Sequence, residues 1–158
     1  MAGGLSFRQN VLDPPKPAGI PDRLGTLGLV NATDGAEATA SINKLHGTSI
    51  ELVSAYIANY AHSSPYHNVK TTVWVGRAAN QEAAIELINK MAEAITRGGS
   101  GFSNLQRLTV AGQDIFQVRG PGGAHFFYNS RKSPEEVIWL TIEAAETSEI
   151  LEEAIKTF

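Results

Sequence analysis

Residues 69–98 read VKTTVWVGRAANQEAAIELINKMAEAITRG, and two periodicities follow one another along them. Thr71-Thr72-Val73-Trp74-Val75 alternates and is β-branched or aromatic, the pattern of a strand. Asn80 then offers a side-chain oxygen to the free N–H groups of a helix start. From Gln81 to Arg97 the apolar residues Ala84, Leu87, Ile88, Met91 and Ile95 recur at intervals of three and four, the spacing of one helix face. Glu82, Glu86, Asn89, Lys90, Glu93 and Arg97 fall on the other side. Gly98 can take the left-handed conformation that closes such a helix. A strand feeding an amphipathic helix implies a sheet on which the helix lies.

Working towards the N-terminus, residues 61–68 are polar, hold Pro65 and read as a loop. Residues 50–60 are rich in Val, Ile and Tyr and form a long strand candidate, antiparallel to 71–75 because the connection is short. Asp34 can cap a helix from Gly35 to Leu45, with Ala36, Ala40, Ile42 and Leu45 on its apolar side and His46-Gly47 at its end. Residues 24–30 are apolar but broken by glycine, as a short edge strand would be. Before them, Pro14, Pro15, Pro17 and Pro21 place four of the seven prolines in a lead-in over residues 1–22. Proline fixes φ and lacks a donor, so this part is expected to be extended, either as a spacer or as a strap along the domain.

Towards the C-terminus, Gly98-Gly99-Ser100-Gly101 is a flexible link. Residues 108–110 and 115–118 flank Ala111-Gly112-Gln113-Asp114, a hairpin signal. A second turn follows at Gly120-Pro121-Gly122-Gly123, then an aromatic strand over 124–128. Val137-Ile138-Trp139-Leu140-Thr141-Ile142 is apolar on both faces, as in an interior strand covered on two sides. Thr147 or Ser148 caps a last helix bearing Ile150, Leu151, Ala154, Ile155 and Phe158. Short strands joined by turns, with helices between runs of them, predict a single α+β domain over 23–158. Its sheet is expected to be mostly antiparallel, with five to seven strands packed with two or three helices.

A chain of 158 residues with 42% hydrophobic content can bury a real core. Net charge is −3, which argues against nucleic acid as a partner because phosphate binding needs a concentrated basic surface. Charge is uneven: Arg97, Arg107, Arg119, Arg131 and Lys132 face only Asp114 among nearby acids, while Lys156 alone opposes the glutamates from Glu135 onward. The absence of cysteine removes disulfides, thiolate metal sites and cysteine nucleophiles. No run approaches a membrane span. Met1-Ala2-Gly3-Gly4 does not read as a signal peptide, although a chain already cleaved and anchored through a lost N-terminus would read the same.

Local chemistry is sparse. His62 and His67 share the polar loop, His46 follows a helix and His125 opens the aromatic strand. No pair has a spacing that forces convergence on a metal, so no metal or cofactor is expected. His46 and His125 are the ligands an alternative metal- or haem-binding reading would use. The glycine turns lack the helix N-terminus that makes a phosphate loop work. Asp34, Glu37, Glu51 and Asp114 are scattered, and no Gly-x-Ser-x-Gly occurs, so no catalytic residue is assigned. A hydrolase would need a site assembled from distant residues. Aromatics are the most suggestive group. Tyr56 and Tyr60 share strand parity and hence a sheet face, while Trp74, Phe126, Phe127 and Tyr128 lie on strands where one parity could stay exposed. An exposed aromatic face would suit a partner, an apolar ligand or a second copy of the chain.

Leu-His-Gly (45–47), Tyr-Ile-Ala-Asn-Tyr (56–60), Val-Trp-Val (73–75), Gly-Gly-Ala-His-Phe-Phe (122–127) and Val-Ile-Trp-Leu (137–140) resemble small uncharacterised prokaryotic domains, often exported or lipid-anchored. The resemblance covers 24–158 and brings no activity and no catalytic residues. It implies a periplasmic or extracellular protein. The expectation is therefore a non-enzymatic binding or assembly module, a homodimer or else a docking partner for another protein, with Trp74, Phe126, Phe127 and Tyr128 as its contact surface.

Overall fold

The computed structural model describes residues 19–46, 51–62, 64 and 68–158, the side chains of 41–46 excepted. Its strands are β1 (Arg23–Leu24), β2 (Leu27–Asp34), β3 (Ser54–Ala61), β4 (Lys70–Arg77), β5 (Ser103–Val110), β6 (Gln113–Gly120), β7 (Gly123–Asn129) and β8 (Glu136–Glu143). The helices are α1 (Gly35–His46), α2 (Gln81–Arg97) and α3 (Ser148–Thr157). All eight strands form one sheet in the order β1-β2-β3-β4-β8-β7-β6-β5, and every neighbouring pair is antiparallel. The class is α+β, as the sequence predicts, but the sheet has one strand more than the expected five to seven. β1 is the addition. It is two residues long, too short to leave a periodicity.

The organising stretch folds as read. Asn80 caps α2, its Oδ1 accepting from the Ala83 N–H at 2.9 Å, and Gly98 closes it at φ 90°. Ala84, Ile88, Met91 and Ile95 are buried against β5, β7 and β8. The hairpin between β5 and β6 turns on Ala111 and Gly112 alone, at φ 50° and 77°. That pair of positive values is the twist-matched two-residue turn, so Gln113 and Asp114 belong to β6 and not to the turn. The strand expected from residue 50 begins at Ser54. His67 and Gly47 lie outside the described residues, as does the lead-in as far as residue 18. Ile20, inside the stretch read as lead-in, is 2% exposed and packs in the main core.

β8 lies at the middle of the sheet because both of its faces are apolar. Ile138, Leu140 and Ile142 join Tyr60, Val73, Val75, Phe126 and Tyr128 in the cluster under α3. Val137 and Trp139 join Phe127, Val118 and the α2 stripe on the opposite face. α1 covers the neighbouring part of that second face, with Ala38 against Ala55. α3 touches both β1 and β5, the two edges of the sheet. In a flat sheet those edges would stand about 34 Å apart, at about 4.8 Å per strand. A helix of ten residues is only about 15 Å long. The sheet therefore curls, with α3 inside the curl and α1 and α2 outside it. Among the described residues, no helix is long and apolar enough to cross a membrane.

Candidate functional site

Phe126, Phe127 and Tyr128 are 2%, 0% and 2% exposed, so the contact surface expected there is corrected. Phe126 and Tyr128 point under α3, and Phe127 points under α2. Both parities of β7 are covered because helices lie on both faces of the sheet. Phe127 stacks on Trp139 at 5.0–5.1 Å centroid spacing with Phe116 on its other side. Trp74 is partly buried between the α1 and α2 clusters. The three β7 rings cannot centre an interface. The sequence could not separate these cases, since an aromatic at either parity reads alike until the helices are placed.

His125 is also unavailable as the ligand of the alternative reading. Its Nε2 lies 2.7 Å from the Pro121 carbonyl, which can only accept, so Nε2 carries the proton. Nδ1 then accepts from the Thr141 hydroxyl at 3.0 Å. Both ring nitrogens are engaged, and the ring is wedged against Phe102 and Trp139. His46 ends α1, and its side chain lies outside the described residues. Among the described residues, no three His, Asp or Glu side chains gather as a metal site requires.

The structure instead opens a cleft of about 370 Å³ at the end of the curl where β3 and β8 begin and β4 ends. Two cross-strand rows build it. The ladder places Ser54 opposite Arg77 and Arg77 opposite Glu136. One step further in, Tyr56 is opposite Val75, and Val75 opposite Ile138, which pairs with Tyr128. Alternation along each strand sends both rows to the α3 side. Gly19 and Pro21 close one wall, and Thr157 and Phe158 from the end of α3 close another. Lys132 and Ser133, on the turn between β7 and β8, complete the rim.

The walls are rigid. Tyr60 donates to the Pro21 carbonyl at 2.8 Å, fixing the N-terminal wall to β3. Ser130 donates to the Phe158 carbonyl and accepts from the Ser133 N–H at 3.1 Å, so the turn and the end of α3 move together. Lys132 Nζ reaches the carbonyls of Lys156 and Thr157 at 3.4 and 3.3 Å, placing a cation where the helix dipole is negative. The basic turn and the acidic last helix thus meet within one chain.

The electrostatics of the cleft are unusual. Burial first, then the adjacent Glu135 carboxylate, push the Glu136 carboxyl above the ordinary carboxylate range, while Arg77 draws it partly back. Arg77 itself is half exposed and pairs with Glu135 at 3.4 Å. Burial and the neighbouring Glu136 hold the Tyr56 hydroxyl protonated well above its usual value. Neither the Tyr56 hydroxyl nor the Glu136 carboxylate makes a hydrogen bond or ion pair with any described residue. Tyr60, deeper in the same face, is pushed up to about 12 by burial and by Asp22.

These raised tyrosines set the alkaline limit of the fold. A phenol whose native pKa exceeds its unfolded value stabilises fully below the unfolded value, near 10, and less as pH rises through the native one. Stability is expected to fall between about pH 10 and 12, where Tyr60 titrates in the native state. Urea midpoints measured across that window check it. Tyr60→Phe, which keeps the ring and removes the titrating group, should flatten the decline, and an unchanged slope in that variant would contradict the assignment.

Compared with known proteins, the chain matches no family model, no curated protein and no solved structure.

Proposed function

We propose that this protein is a binding module rather than an enzyme, and that the cleft between α3 and the ends of β3, β4 and β8 is its ligand site. The observation that carries this reading is the cleft lining itself, where Tyr56 and Glu136 stand together with Arg77 and Lys132. Both the Tyr56 hydroxyl and the Glu136 carboxylate are only partly buried and make no hydrogen bond or ion pair with a described residue, so they are open to a ligand entering from solvent. They sit in a cleft whose volume of about 370 Å³ is within the range of about 300–1,000 Å³ typical of small-molecule sites.

Binding is favoured over catalysis by the state of those groups. Tyr56 stays a neutral donor far above neutral pH, so it is not a phenolate base. No histidine is among the described residues that line the cleft, so Ser54 and Ser133 have no imidazole beside them to act as base. Walls tied by Tyr60, Ser130 and Lys132 describe a preformed receptor, which keeps the ordering cost of binding low. The reading is one of ligand capture, with no role for a sheet face in assembly.

The test is a heteronuclear NMR screen of the full chain against a fragment library spanning amines, carboxylates, zwitterions and neutral polyols. Shifts concentrated at residues 54–56, 75–77 and 132–136 are expected, and they should vanish in Ser54→Trp, which fills the mouth from an exposed rim position. Fragments that shift only other parts of the molecule, or none that bind at all, would overturn the proposal.

A further inference from the structure

We propose that the cleft takes a small zwitterion with an apolar side chain, a free α-amino acid or a dipeptide, its ammonium group meeting Glu136 and Tyr56 and its carboxylate meeting Arg77 and Lys132. This rests on the reading of the cleft as a ligand site and adds the chemistry of the ligand.

The two signs of charge in the cleft carry the inference. A ligand that is only an anion would find Arg77 and Lys132 but would lie beside the unpaired Glu136 carboxylate. A ligand that is only a cation would satisfy Glu136 and lie beside two cations at the rim. A molecule carrying both charges satisfies all of them. The spacing also fits. Arg77 and Glu136 are direct partners on neighbouring strands, so their backbones stand about 5 Å apart, and the two charged groups of an α-amino acid are separated by one carbon. Arg77 gives one arm to Glu135 at 3.4 Å and keeps further donors for a carboxylate. Val75, Pro21, Phe158 and the Tyr56 ring supply an apolar wall for a side chain.

The charge on Glu136 also gives the inference a pH signature. The groups acting on it are Tyr56 on β3, Arg77 on β4 and Glu135 on the turn before β8, while Lys132 on the same rim is held at the carbonyls of α3 and Phe158 closes that wall. Glu136 gains its proton at a higher pH than an ordinary glutamate, because of burial and Glu135. Binding of a zwitterion should weaken as pH falls through that transition, since the ammonium loses its counter-charge.

Three probes of one skeleton test the inference on the full chain by calorimetry and NMR at pH 7: L-leucine, 3-methylbutylamine, which lacks its carboxylate, and 4-methylpentanoate, which lacks its ammonium. Leucine should bind at the cleft, with each singly charged analogue weaker by about tenfold or more, as expected for losing one charged hydrogen-bonding pair. Glycyl-leucine beside leucine tells a free amino acid from a dipeptide, and tighter binding of either is consistent with the inference. Glu136→Gln should weaken leucine by a similar factor, abolish the loss at low pH, and relieve the rejection of 4-methylpentanoate. Arg77→Gln should do the converse, relieving the rejection of 3-methylbutylamine. If either singly charged analogue binds as well as leucine at the cleft, the zwitterion assignment is wrong while the binding-module reading stands. If no probe and no library fragment moves the cleft resonances, both fall.

Discussion

Phe127→Ala is expected to lower the unfolding free energy by about 3–5 kcal/mol, the cost of emptying a large ring from a closed core. The ring is 0% exposed. It lies parallel to Trp139 at 5.1 Å and 4°, and stacks with Phe116 at 5.0 Å on a neighbouring strand. Removing it would leave a void bounded by rigid elements, with α2 above and the sheet below, so neighbours have little freedom to collapse into it. For a domain of this size the melting temperature should fall by about 10 °C. Urea unfolding with an unchanged slope measures the loss. A decrease below about 1 kcal/mol would show that the stack is not a fixed part of the core. Phe127→Leu retains most of the volume and should cost less than half as much.

Phe158→Ala is expected to be nearly as damaging, at about 3 kcal/mol or more. Phe158 is 6% exposed and meets the Tyr60 ring edge-on at 6.4 Å. Its carbonyl accepts from the buried Ser130 hydroxyl. The side chain fastens α3 to β3 and forms one wall of the cleft at once. Two readouts should therefore change together: the urea midpoint falls, and whatever the cleft binds is held more weakly. Phe158→Leu should restore most of the stability but not the wall, which separates the two roles. Loss of stability with undiminished binding would remove Phe158 from the site.

Much of the fold is legible in the sequence because its signals are local. The α2 stripe, its Asn80 cap and its Gly98 stop all fall within a few turns of one another. The apolar run of β8 marks an interior strand without reference to its neighbours. Tyr56 and Tyr60 were expected on one sheet face, and both lie on the α3 side. What the sequence could not show is which face each helix covers. That is why the rings of β7, apt for a surface by parity, prove to be core on both sides. The cleft was illegible for a different reason. Its residues come from 19–21, 54–56, 75–77, 132–136 and 157–158, short pieces at strand ends with no shared spacing. The available hint was charge: Arg131, Lys132, Glu135 and Glu136 crowd one turn, and the strand of the organising stretch ends on Arg77. Joining those two facts needs the register that sets Arg77 opposite Glu136.

The position of α3 inside the curl has a consequence for how the chain is made. The helix follows all eight strands in sequence, yet it supplies Leu151, Ala154, Ile155 and Phe158 to the cluster that also holds Ile20, Leu24 and Leu27. A ribosome releases the first of these pieces long before the last. Until α3 clears the exit tunnel, the inner face of the sheet, with Val73, Leu140 and Phe126, lacks the cover that α3 gives it. Outer-face contacts between α2 and its strands can form earlier, since they link nearer segments. The inner-face cluster therefore closes only once its last-made element is present, which makes it the slower and more aggregation-exposed half of the core to form.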